Sequence, residues 1–191
     1  MMHREEQIAI CRLAARALAY PDEDFARGIK DSVGDLPLDL WNWPELGLDS
    51  LLRGVAVLSG LPLEQVQAEH TRLFINGWPH VACPPYESAY LEGELHGQAV
   101  WDLPSLYGQW GIEVADDDAD HAGAELEFQA FLLSLATRES LKAARQFHRE
   151  HLSRWIPRFG ADVAREARLT FYRSLGRILV AALADWTRDK W

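Results

Sequence analysis

Six apolar residues near the end of the chain, Leu175, Ile178, Leu179, Ala182, Leu183 and Trp186, recur at spacings of three and four. That is the period of an amphipathic helix with one buried face. The same period returns at Ile10, Leu13, Ala14, Ala17 and Leu18, at Val66, His70, Leu73 and Phe74, and at Ala124, Phe128, Phe131, Leu132 and Leu135. Ala144, Phe147, His148, His151, Leu152 and Trp155 share another face. No segment alternates apolar and polar residues over strand length, since Ile112-Glu113-Val114 is too short. Such stripes are buried by packing helix on helix. The expectation is an all-α, single-domain helical bundle of about nine or ten helices over residues 1–191, without internal repeats.

Helix-breaking residues place the joints. Pro21 ends the first helix, because the residue before a proline is pushed out of the helical region. A short helix follows from 22 to about 30, then a connector, DSVGDLPLDLWNWPELG, that Trp41 and Trp43 are expected to pin to the core. A buried helix over 48–58 is closed by Gly60, and Pro62 suits the first turn of the next. Asn76-Gly77 and the prolines up to Pro85 break that helix. Short helices are expected over 86–94 and 98–110, with Pro104 either splitting the second or starting a new turn. Asp116, Asp117, Asp118 and Asp120 precede a strong helix. Another spans roughly 140–155, and Pro157 and Gly160 interrupt the chain before 161–169 resumes.

Charge and cysteine usage narrow the partners. With 29 acidic against 19 basic residues, the formal net charge is -10. Nucleic-acid phosphates would be repelled, whereas a basic partner would be attracted. No apolar run approaches the roughly 18–20 residues of a membrane span, and MMHREEQIAICRLAARAL reads as a first helix, not a signal peptide. A cytoplasmic protein is expected, with Cys11 and Cys83 as free thiols.

Chemistry is expected between Glu69 and Phe131, where loops rich in Gly, Pro and aromatics meet acidic residues. The motifs of dinucleotide, phosphate-loop, zinc-protease and serine-hydrolase sites are absent, so neither cofactor nor resident metal is expected. His80 and Cys83, with His70 and His96 near in sequence, lack the converging geometry of a metal centre. Asp120 beside His121 could orient the ring for acid–base work, which with Glu125 would make a metal- or His-dependent hydrolase. The competing reading has Asp120 capping the helix that follows it. Trp78, Tyr86, Tyr90, Trp101, Tyr107 and Trp110 crowd this third of the chain beside Glu87, Glu92, Glu94, Asp120 and Glu125. Rings next to carboxylates suit a segment both apolar and basic, because arginine stacks on rings and pairs with carboxylates. Salt should weaken such binding.

The stretch resembles the TorD/DmsD/NarJ family of cytoplasmic chaperones for molybdoenzymes. The residues that carry the likeness are His70-Thr71-Arg72-Leu73-Phe74, Pro84-Pro85-Tyr86-Glu87-Ser88-Ala89-Tyr90, Gly97, and Asp120-His121 with Glu125. FHREHLSRWIPRF (147–159) and FYRSLGRIL (171–179) resemble the family's C-terminal half. Where the family has an acidic-proline-x-Asp-His run, this chain has Asp117 for the glutamate and Asp118 for the proline, keeping the Asp-His pair. The resemblance implies an all-helical, non-enzymatic protein that binds the catalytic subunit of a molybdopterin oxidoreductase, or its twin-arginine leader, before export. Leu73, Phe74, Trp78, Pro85, Tyr86 and Tyr90 would then be apolar or aromatic contacts. Glu87, Asp120 and Glu125 would be the acidic partners, and His121 would donate a hydrogen bond or tune Asp120. A homodimer formed by swapping halves is a further expectation.

Overall fold

The computed structural model describes residues 2–93, 95, 97–114 and 118–186, and only the backbone course for 98–100 and 184–186. Glu94, His96, Asp116 and Asp117, named above, lie outside the described residues, as does the side chain of Trp186. Among the described residues there are ten α-helices and no strand: α1 Arg4–Leu18, α2 Phe25–Gly34, α3 Leu48–Leu58, α4 Leu63–His70, α5 Glu87–Leu91, α6 Gln98–Gly108, α7 Ala122–Leu135, α8 Arg138–Phe147, α9 Ser153–Glu166 and α10 Thr170–Trp186. The helical stripes read from the sequence are buried almost residue for residue in α1, α4 and α10, and the buried apolar side chains form one cluster from Met2 to Leu183.

The most extensive packing is α10 on α9, followed by α1 on α7 and α10 on α3. Two seams are set by missing side chains. A Cβ added at Gly54 of α3 would stand 2.7 Å from the Phe171 backbone of α10. One added at Gly176 of α10 would meet the Gly160 carbonyl and lie 2.5 Å from the Ala164 nitrogen of α9. Glycine here brings helix backbones together, and the van der Waals contact so gained offsets its poor helix propensity.

That seam corrects one expectation. Pro157 and Gly160 do not interrupt the chain, because α9 runs through both. A proline inside a helix forgoes one backbone hydrogen bond. Burial of Trp155, Ile156, Phe159 and Val163 outweighs that loss. The break comes earlier, where a wide π turn, His148–Leu152, joins α8 to α9. Pro104 likewise sits within an unbroken α6.

In the connector, Leu40 and Leu46 are the buried anchors, Trp43 packs only partly, and Trp41 is exposed. On α7 the buried set includes Ala122, Glu125, Leu126, Phe128, Gln129, Ala130, Leu132 and Leu133, more than a single stripe, while Leu135 is exposed. α7 is thus enclosed by α1 on one side and α8 on another.

α4 passes directly into a second π turn, Thr71–Ile75, which aims Leu73 and Phe74 inward. Its outer side is tied down by Arg72, which donates to Glu69 at 2.8 and 2.9 Å and to the Glu166 carbonyl at 2.8 Å. Glu69 also accepts from the Arg168 backbone at 2.6 Å. The loop that follows is therefore launched from a fixed base beside the α9–α10 junction.

Candidate functional site

The two segments that carry the Tyr86 and His121 motifs lie side by side. Tyr86 and His121 form an isolated antiparallel bridge. The Glu87 N–H donates to the Asp120 carbonyl at 2.9 Å, and the Ala122 N–H to the Pro85 carbonyl at 2.8 Å. The Asp120 carboxylate accepts from the Ser88 N–H at 3.0 Å. Asp120 is therefore a helix cap, as one sequence reading had it, but it caps α5 and not the helix that follows it. A first-turn N–H without an intrahelical partner and the positive end of the helix dipole both favour a carboxylate there.

His121 caps α7 instead. Its Nδ1 accepts from the Gly123 N–H at 3.0 Å, so the ring proton sits on Nε2. Burial pushes this histidine below the usual imidazole range, against the pull of Asp118 and Asp120. Its ring meets Tyr86 edge to face at 5.3 Å. Tyr107, which the sequence placed only in a crowd of aromatics, secures the turn by donating to the Ala119 carbonyl at 2.8 Å. Burial and the nearby Glu125, Glu87 and Asp120 carboxyls push the Tyr107 phenol up, which keeps it a donor.

The carboxyls expected to meet a basic ligand face inward. Glu87, Asp120 and Glu125 are 2%, 1% and 0% exposed. The Glu87 carboxyl lies 2.8 Å from Nδ1 of His151, on the π turn His148–Leu152. Glu125 accepts from the Trp155 indole N–H at 3.2 Å. Leu73 and Phe74 are core side chains, with Phe74 against His70, Phe159 and Tyr172, and Pro85 is buried. In this conformation these six residues shape the site and make no outward contact. Asp120, His121 and Glu125 each engage a different partner: the Ser88 N–H, the Gly123 N–H and the Trp155 indole N–H. Among the described residues no three His, Cys, Asp or Glu side chains are placed to hold a metal. Cys83 is buried while His80 is exposed, and His70 points Nε2 at the Leu18 carbonyl, 3.1 Å away.

Burial raises the Glu125 carboxyl well above its ordinary value of 4.5, the neighbouring Glu87 adds to this, and the Trp155 N–H opposes it. As pH climbs past that ordinary value the unfolded chain releases this proton while the native chain keeps it. The unfolded state then binds fewer protons, so this residue's contribution to stability falls as pH rises. Glu125→Gln has no such proton to retain. Its stability relative to wild type should rise from pH 4.5 toward neutrality, by about 1.4 kcal/mol for each unit of elevation. Urea denaturation of both proteins across that range checks the slope.

The outward face of α5 is different. Ala89 and Tyr90 line an open groove of ≈ 390 Å³, with His80, Val81, Ala82 and Pro84 of the preceding loop, Gly93 and Leu95, and Arg158 and Asp162 of α9. Tyr90 rests on Trp155 and Phe159 and donates to Asp162 at 3.2 Å. Two residues before His80, Trp78 is 95% exposed. Tyr86, half-buried, stands where α5 begins. Of the residues expected to touch a partner, Trp78, Tyr86, Tyr90 and His121 thus retain access to solvent.

The two motif loops are thus joined backbone to backbone at the Tyr86–His121 bridge, with the carboxyls of Glu87, Asp120 and Glu125 turned inward. The sequence profile of the nitrate reductase delta subunit family matches residues 46–161, and the chain belongs to that family. It is 29% identical over 143 residues to the chaperone protein YcdY of Escherichia coli (strain K12), covering 75% of this chain and 73% of that one. Its fold is shared with a protein described as a redox enzyme maturation protein from Archaeoglobus fulgidus. That structure gives a TM-score of 0.61 at 23% identity, over 99% of this chain and 96% of the other. Among the described residues no helix is long and apolar enough to cross a membrane.

Proposed function

We propose that the protein is a non-enzymatic chaperone of the cytoplasm. It holds the catalytic subunit of a molybdopterin oxidoreductase, and the leader of that subunit, until the cofactor is in place and export or assembly can proceed. The observation that carries this reading is the exposed Trp78, two residues before His80, which lines the groove on the outer face of α5. An exposed tryptophan suits an anchor role, since it offers large apolar area and one donor at small entropic cost. Family membership and the likeness to YcdY support the same reading. Trp78, Tyr86, Tyr90 and His121 are the contacts. Leu73, Phe74, Pro85, Glu87, Asp120 and Glu125 hold those contacts in place.

Calorimetry with the catalytic subunit of a molybdopterin oxidoreductase from the same organism, and separately with its leader peptide, tests the proposal. Wild type should bind. Trp78→Ala should lose at least about ten-fold in affinity, a typical anchor effect, with an unchanged melting temperature. Failure of the wild type to bind either ligand would rule the proposal out.

A further inference from the structure

Apolar side chains beside free carboxylates were expected between Glu69 and Phe131, where Glu87, Asp120 and Glu125 instead turn inward. The fold presents that combination in another place. A cleft of ≈ 280 Å³ opens where α2, α3 and α4 meet, and none of its lining residues belongs to the motif loops. Phe25, Leu58 and Val66, all buried, form its floor, with the half-buried Ala26, Leu61 and Leu63 beside them. Asp22 and Glu23 also line it, and both are exposed. Among the described residues neither acid has a basic group within ion-pair distance. The described lining therefore holds two carboxylates and no cation. The charges that follow along α2 and α4 balance, Asp24 and Glu64 against Arg27 and Lys30, with Arg27 already paired to Asp24. Residues 2–93 are all described, so no charge in the segments between the lining residues is left out of this count. The segment that carries the acids is fixed. Gln67 of α4 donates to the Pro21 carbonyl at 2.9 Å, and the Asp22 carboxylate accepts from the Asp24 N–H at 3.0 Å. The Phe25 ring meets Phe171 of α10 edge to face at 5.7 Å.

We infer that this cleft receives an apolar stretch of a partner polypeptide that carries a basic side chain, with Asp22 and Glu23 facing the cation and the α2–α4 wall covering the apolar side chains. The inference rests on the chaperone reading above and adds a second client contact, on elements other than α5 and α9. Seating such a stretch removes from water the apolar surface that the fold leaves open there. A lysine or arginine lays its methylene stem on an apolar wall while its charged end stays at the wet edge, where the two acids stand. Exposed carboxylates add modest attraction, and they reject a segment of their own sign.

The test uses the full chain and three capped peptides of the same apolar sequence, with lysine, glutamine or glutamate at the centre. By calorimetry, wild type should bind the lysine peptide about five-fold tighter than the glutamine one, and the glutamate one least. High salt should shrink the difference. Asp22→Asn combined with Glu23→Gln removes both charges and keeps an acceptor for the Asp24 N–H, so the three affinities should become equal. Ala26→Trp, which fills the cleft, should abolish binding of all three, with circular dichroism reporting that both variants remain folded. Equal affinity of wild type for the three peptides, no binding of any, or an order unchanged in the neutralised variant would overturn the inference. The intact catalytic subunit of a molybdopterin oxidoreductase from the same organism separates the two levels. If wild type does not bind it while the lysine peptide still binds, the chaperone reading fails and the chemistry of the cleft stands. If wild type binds it and neither variant weakens that binding, only the assignment of the cleft to the client fails.

Discussion

Gly176→Val should lower the melting temperature by about 6–12 °C, corresponding to about 3 kcal/mol in a chain of this size. A Cβ at position 176 would overlap the Gly160 carbonyl and stand 2.5 Å from the Ala164 nitrogen and 3.0 Å from its Cα. Those atoms are backbone and cannot rotate away, so α9 and α10 would have to separate along their most extensive contact. Gly176→Ala distinguishes this clash from local propensity. Alanine is the better helix former by about 1 kcal/mol, so a purely local account predicts stabilisation. The seam predicts a loss. Gly108 supplies the control, because it is helical and nothing lies within 4 Å of its added Cβ. Gly108→Ala should be neutral or stabilising. Thermal denaturation of the three variants decides, and a Gly176→Ala protein that melts above wild type would show that the seam is not tight.

The same glycines show what a single sequence can reveal here. The 3.6-residue stripes are local, and the buried sets of α1, α4 and α10 follow them closely. Gly160 looked like a break because a glycine in a helical pattern is locally unfavourable, and only its neighbour on α10 turns it into a contact. The site behaves in the same way. Asp120 was legible as a capping residue, but the N–H it caps belongs to Ser88, 32 positions earlier. Glu87 and His151 are 64 positions apart, and Glu125 and Trp155 are 30 apart. No periodicity reports such pairings, so three carboxylates near three rings read equally well as an open acidic cleft or a closed internal cluster. Composition counts acids without saying which way they face. Trp41, Trp43 and Trp78 were likewise alike as letters, yet Trp78 is almost wholly in water while Trp43 packs on the core. One signal was available. A tryptophan flanked by Gly77 and Pro79 sits where no helix can bury it.

Trp155→Ala should be the most damaging substitution in the molecule, costing about 3–5 kcal/mol. The side chain is fully buried beneath Tyr90 and beside Phe159, so its removal leaves a void directly under the groove. It also deprives Glu125 of its indole donor. Trp155→Phe separates the two effects, since most of the ring volume is kept and the N–H is lost. Leaving the buried carboxyl without that donor should cost about 1–3 kcal/mol. If the hydrogen bond is the reason, pairing Trp155→Phe with Glu125→Met should recover most of the loss, because removing both polar partners together leaves nothing unsatisfied. The favourable coupling expected between the two sites is about 0.5–3 kcal/mol, measurable by urea denaturation of the two single variants and the double. Simple additivity of the two losses would mean that indole and carboxyl are neighbours without being partners. Tyr90 would then owe its position to ring packing alone, and Trp155→Phe should leave binding of the client subunit unchanged.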